Sequence, residues 1–120
     1  MFASHLRTMR ARIALLSIVV LAACTAQADK QLEAVKSARS VLSEWALIET
    51  QADNGRAQAT YTDQMRQASR DELKKAAEGL SQRPDAARLI ERIRSGSPDA
   101  AALRNASSAL EPLEKSLEAA

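Results

Sequence analysis

Apolar residues recur with a helical period through most of the chain. Between residues 29 and 53 they come at alternating steps of four and three, which places them on one helix face. The residues of this face are Ala34, Ala38, Val41, Trp45, Ile48 and Ala52. The Asn54-Gly55 pair then breaks the period, because it suits the left-handed backbone that ends a helix. A similar stripe predicts a second helix over about 57–80, with Tyr61, Met65, Ala68, Leu73, Ala76 and Leu80 on its face.

The two apolar faces match if the chain folds back around Asp53. Trp45 then lies opposite Tyr61, which predicts an antiparallel helical hairpin with the two rings as neighbours. Such a pair is either an aromatic binding site or two core anchors, and aromatic residues on an apolar stripe usually belong to the core. Leu47 falls off the stripe and is a candidate contact point for a partner, although isolated exposed leucines are common.

Two shorter helices are predicted after this hairpin. Pro-Asp-Ala-Ala occurs at residues 84–87 and again at 98–101, and proline followed by an acid is typical of a helix start. The predicted helices cover about 84–94 and about 98–117, with Ser97 as the N-cap of the second. Pro112 is expected to kink or split that last helix because its ring removes a backbone hydrogen bond. The fold class is therefore all-α, a small helical bundle over residues 29–120.

The first 23 residues have the composition of a secretory signal peptide. Three arginines between residues 7 and 12 precede the uncharged run of residues 13–23, and small residues follow. The run is shorter than the roughly 20 apolar residues that a membrane-spanning helix needs. We therefore expect this segment to be removed on export.

Two cleavage sites follow the apolar run. Leu21-Ala22-Ala23-Cys24 resembles the lipobox of bacterial lipoproteins, whose cysteine receives a diacylglycerol before the chain is cut ahead of it. The resemblance covers residues 1–24 only. It implies a lipid anchor on Cys24, palmitate-type acylation and a short tether at residues 24–28. Thr25, where an aspartate would favour the inner membrane, implies the outer membrane, facing the periplasm. The rival site is Ala26-Gln27-Ala28, which would release a soluble protein.

Removal of the signal changes the meaning of the charge. The chain has 17 basic and 15 acidic residues, and the three basic residues lost with the signal leave 14 against 15. The remaining domain lacks the excess of positive charge that phosphate binding requires, so nucleic acid is not an expected partner. Basic rows do occur, with Arg66, Arg70 and Lys74 on the side of the second helix away from Tyr61 and four arginines between residues 83 and 94. Interspersed acids favour a solvated face for both rows, although either row is also suited to anionic lipid headgroups.

The residue types after Cys24 restrict the chemistry. His5 is the only histidine and Cys24 the only cysteine, so the domain has no imidazole or thiol for a nucleophilic site or a metal site. Glu44 and Glu49 flank Trp45, but positions five apart diverge on a helix and do not form a two-carboxylate site. We therefore expect that the protein is not an enzyme and binds no cofactor. The leading hypothesis is an envelope lipoprotein that binds or scaffolds an unknown envelope protein or itself; the alternative is a soluble periplasmic binding or inhibitor protein.

Overall fold

The structure is a computed structural model that describes residues 26–120 together with the backbone of the helix leading into them. Cys24 and the rest of the lipobox lie outside the described residues. The part of the chain that the structure describes contains four helices: α1 (Phe2–Asp53), α2 (Ala59–Gly79), α3 (Pro84–Ser95) and α4 (Ala100–Glu118). All regular structure within residues 26–120 is helical, which confirms the predicted fold class.

The helices form a bundle in which each runs opposite to the one before it. Contacts join α1 to α2, α2 to α3, α3 to α4, and α4 back to α1, so the arrangement is a closed up-and-down bundle. Ion pairs fix the direction of α4 along α1. Lys36 Nζ lies 3.7 Å from Glu118, and Arg39 pairs with Glu111 and Glu114 one to two turns earlier on α4.

The core consists of aliphatic side chains around Trp45. The largest fully buried side chains are Trp45, Leu42, Leu73, Leu80, Ile90, Leu103, Leu110 and Val35. Alanines fill many of the remaining core positions, among them Ala38, Ala76 and Ala106. Because alanine buries little area, much of the stability of the bundle depends on a few large side chains.

The hairpin of α1 and α2 is present, but its predicted register is wrong. Arg70 lies over Trp45 and Gly79 lies against Ala34, so each partner on α2 is about two turns further along than a fold-back at Asp53 requires. The physical reason is the connection at residues 54–58, where Gly55 has a φ of +66° and Arg56 N–H donates to the Gln51 carbonyl. These five residues move the point at which the chain folds back from Asp53 to about residue 57, and each residue of this displacement shifts the pairing by two. The start of α2 at Ala59 itself agrees with the predicted start at about residue 57 or 60.

The helices differ from the prediction in three further respects. Helix α1 does not start at residue 29, since residues 26–28 already belong to it. The N-cap of α4 is Asp99 rather than Ser97, because the Asp99 carboxylate accepts a hydrogen bond of 2.8 Å from Ala102 N–H. Pro112 does not split helix α4, which continues through this residue as far as Glu118.

Gly79 allows α1 and α2 to approach closely at the end of their contact. A Cβ built on Gly79 would lie 2.9 Å from the Cβ of Ala34, which has no flexible end to move away. We therefore expect Gly79→Ala to lower the free energy of unfolding by about 1–2 kcal/mol, because overpacking outweighs the gain in helix propensity. Urea denaturation measures this, and the double variant Gly79→Ala/Ala34→Gly should recover most of the loss. Equal stability of wild type and Gly79→Ala would contradict the close approach.

Candidate functional site

Trp45 lies at the centre of a polar cluster near one end of the bundle. Its side chain is only 1% exposed, and the guanidinium carbon of Arg70 from α2 is 5.0 Å from the centroid of its ring. The indole Nε1–H donates to Glu49 Oε2 at 3.3 Å, one turn further along α1. The ring therefore packs against the core while its face and its polar edge contact charged groups.

Glu49 and Arg66 form a bidentate ion pair between α1 and α2. Arg66 Nε donates to Glu49 Oε2 at 2.8 Å and Arg66 Nη2 donates to Oε1 at 2.5 Å. Arg66 Nη1 contacts Asp63 at 3.2 Å. The hydrogen bond from Arg66 lowers the pKa of Glu49 below its usual value, against the opposing effect of burial, and the charge of Arg66 and the indole N–H add to this. Glu49 is therefore an ionised acceptor and not a proton donor at neutral pH.

Arg70 joins the cluster to the connection between α3 and α4. Its Nε donates to the Arg94 carbonyl at 3.2 Å and its Nη2 donates to the Gly96 carbonyl at 3.3 Å. These carbonyls stand at the end of α3, where backbone oxygens lack helical partners. One guanidinium thus contacts the Trp45 ring and also holds the end of a third helix.

A cavity of about 430 Å³ opens above this cluster. Its lining residues are Trp45, Glu49, Asp63, Arg66, Arg70, Ser97 and Pro98. Two arginines balance two carboxylates here, and both guanidinium groups already donate to protein oxygens. The arrangement suits the stabilisation of helix packing better than the recognition of a single charged ligand.

The aromatic residues singled out in the sequence do not form a pair. Trp45 is buried, whereas Tyr61 is 49% exposed, because Thr62 and Ser69 occupy the buried side of α2 where Tyr61 and Met65 were predicted. The interpretation of both rings as core anchors is therefore correct for Trp45 and wrong for Tyr61. Leu47 is 59% exposed, and Leu47 and Tyr61 are the large apolar side chains that the described part of the bundle leaves most open to solvent.

The interspersed acids predict a solvated basic row on α2, and this prediction is wrong for two of its members. Arg66 and Arg70 are half-buried against Glu49 and Trp45, whereas Lys74 is exposed. A sequence signal for this did exist. Trp45 and Glu49 are four residues apart, as are Arg66 and Arg70, so two antiparallel helices can match both pairs at once.

The carboxylates of Glu44 and Glu49 do not converge. Glu44 is exposed, and Glu49 is buried in its ion pair with Arg66. Among the side chains of residues 26–120, no three histidine, cysteine or acidic groups lie close enough to hold a metal ion. No helix within that described part is long and apolar enough to cross a membrane.

Comparison with known proteins gave no relative of this chain. No protein-family model matches it, and neither the curated proteins nor the solved structures that were searched contain a match.

Proposed function

We propose that this chain is the precursor of a small cell-envelope lipoprotein that is anchored through Cys24 and acts as a non-catalytic helical binding or scaffold module. The proposal rests on the sequence Leu21-Ala22-Ala23-Cys24, which ends the apolar run of the signal and places the cysteine directly after it. The proposed membrane is the outer membrane, with the bundle on its periplasmic side.

The position of the bundle relative to Cys24 supports a role close to the membrane. Gln31 is the first buried residue of α1 among the described residues, only seven positions after Cys24. Residues 26–28 are helical, and a helix rises about 1.5 Å per residue, so the cysteine and the bundle are separated by about 10 Å along the helix. A lipid on Cys24 would hold the bundle against the leaflet.

The proposed binding surface lies outside the polar cluster around Trp45. Glu49, Arg66 and Arg70 are engaged in contacts that join three helices. The exposed side chains of Leu47 and Tyr61 are the candidate contacts for an envelope partner or for a second copy of the chain.

A second candidate function is a soluble periplasmic binding or inhibitor protein. The observation that favours it is Ala26-Gln27-Ala28, a site suited to cleavage after Ala28. This cut would discard Cys24 and leave Asp29 as the first residue.

Replacement of Cys24 by serine separates the two functions. Under the lipoprotein proposal, Cys24→Ser removes the sulfur that receives the lipid, so uncleaved precursor accumulates and the mature membrane-bound form is lost. Cell fractionation followed by immunoblotting measures both effects, with Thr25→Ser as a matched control that leaves the cysteine in place. If Cys24→Ser produces the same mature protein as the wild type, cleaved after Ala28 and soluble, the lipoprotein proposal fails.

A further inference from the structure

A groove separates α3 from α4 at the end of the bundle that is nearer to Cys24. Contact between these two helices is the least extensive of the four neighbouring pairs, and the space between them is about 550 Å³. Among its lining residues, Leu110 and Ala86 are buried, Leu89 and Leu113 are half-buried, and Pro112 is exposed. The volume lies within the range of about 300–1,000 Å³ that is typical of small-molecule sites.

Polar residues stand at one end of this groove. They are Gln82, Arg83 and Asp85, from the connection between α2 and α3 and from the first turn of α3. Arg83 Nε donates to Gln31 Oε1 at 3.1 Å, which places this mouth beside the segment of α1 that comes from Cys24. Under the proposed function, the mouth faces the membrane.

The lining of the groove restricts the chemistry of an occupant. Its buried and half-buried lining is aliphatic, and the small side chains of Ala86, which is buried, and Ala109, which is exposed, leave space that a flexible hydrocarbon chain can fill. The guanidinium of Arg83 at the mouth suits a phosphate or carboxylate group. Asp85 lies in the first turn of α3, where its charge complements the helix dipole. An apolar chain with an anionic head therefore matches both parts of the groove.

We propose that the α3–α4 groove binds one acyl chain of an anionic phospholipid from the leaflet that holds the anchor, with the lipid headgroup at Arg83. This inference rests on the proposed function for the orientation of the mouth toward the membrane. The groove would add a second, reversible membrane contact to the covalent anchor and would fix the rotation of the bundle above the leaflet.

Titration of residues 24–120, produced without the signal segment and with Cys24→Ser so that no lipid is attached, tests the groove without the anchor; the titrant is a series of lysophosphatidylglycerols. Calorimetry below the micellar concentration should show one lipid per chain. Each added methylene should strengthen binding by about fourfold until the groove is full, after which affinity should level off. Weak partitioning without saturation, or affinity that keeps rising with chain length, contradicts a groove of defined size.

Two variants, each with a matched control, locate the bound lipid. Arg83→Glu should weaken binding of the anionic lipid about tenfold or more and have little effect on a neutral monoacylglycerol. Arg92→Glu, which replaces an exposed arginine of α3 outside the groove lining, should not change binding. Ala109→Phe should block both lipids, whereas Ala101→Phe, an exposed alanine of α4 outside the groove lining, should not.

The results that would overturn the groove proposal differ from those that would overturn the lipid anchor on Cys24. Lipid binding that Ala109→Phe leaves unchanged overturns the groove proposal, as does a dimer that Ala109→Phe dissociates, because the groove would then hold a second copy. If lipid binding is as expected but the exported wild-type protein carries no lipid, the groove proposal holds for the isolated chain and the anchor proposal fails.

Discussion

Replacing Trp45 with alanine is expected to lower the free energy of unfolding by about 3–5 kcal/mol. The side chain is 1% exposed, its ring lies under Arg70 and its Nε1–H donates to Glu49, so truncation leaves a cavity and removes two further contacts. Small domains have about 5–15 kcal/mol of stability in total, and the alanine-rich core here has few large side chains to compensate. Urea denaturation monitored by circular dichroism measures the loss.

Tyr61→Ala is the matched control for this experiment. The helical periodicity alone assigns both rings to the core, but Tyr61 is half-exposed in the structure. We expect Tyr61→Ala to change the free energy of unfolding by no more than about 0.5–1 kcal/mol. Similar losses for the two alanine variants would show that the sequence-based register, with the rings facing one another, is the correct one.

Removal of the positive charge from the Glu49–Arg66 pair has the second largest expected effect on stability. Arg66→Met leaves the Glu49 carboxylate buried with only the indole N–H as a partner, and the expected loss is about 2–3 kcal/mol at neutral pH. This is below the range of about 3–5 kcal/mol for fully buried pairs, since about a third of the Arg66 side chain is exposed and water screens it.

The double variant Glu49→Met/Arg66→Met separates loss of the pair from loss of a partner. Removal of both charges leaves no buried group without a partner, so most of the stability should return. Asp63→Asn, which affects only the exposed contact of Arg66, should cost little. A double variant that is as unstable as Arg66→Met would show that packing of the arginine stem, and not the ion pair, stabilises the hairpin.

The same pair predicts how acid affects the protein. The pKa of Glu49 in the folded state lies below its ordinary value of 4.5, so its contribution to stability is complete above that pH. The contribution is lost as the pH falls through the folded-state pKa. In Arg66→Met the guanidinium no longer lowers the pKa of Glu49, while burial still acts to raise it, so Glu49 should take up its proton at a higher pH than in the wild type. The stability difference between wild type and variant should therefore narrow in acid. A constant difference from pH 7 to pH 3 would contradict the ion-pair account.

The sequence predicts the features of this structure that depend on residues close together in the chain, and it does not predict those that depend on distant residues. The end of α1 at Asp53, the start of α3 at Pro84 and the fold class are predicted correctly, because they depend on near neighbours in the chain. The register of α1 against α2 depends on how far the residues between them displace the second helix. The spacing of apolar residues within each helix does not reveal the length of the connection between the helices. It therefore predicts a contact of Trp45 with Tyr61, whereas the structure has Arg70 there.

The continuity of α4 through Pro112 has a similar explanation. The missing hydrogen bond is local, whereas the packing that holds the helix on both sides of Pro112 comes from other helices. Leu110 and Leu117 are buried in the core, and Glu114 and Glu118 pair with Arg39 and Lys36 on α1. The proline instead lines the α3–α4 groove, a location that sequence periodicity does not indicate.

Intact mass spectrometry of the exported wild-type protein determines whether Cys24 is the lipid-bearing first residue of the mature protein. Under the lipoprotein proposal, we expect a chain that begins at Cys24 and carries the added mass of a diacylglycerol, with further acylation of its amino group where that step occurs. A protein that begins at Asp29 with the mass of its residues alone would contradict it.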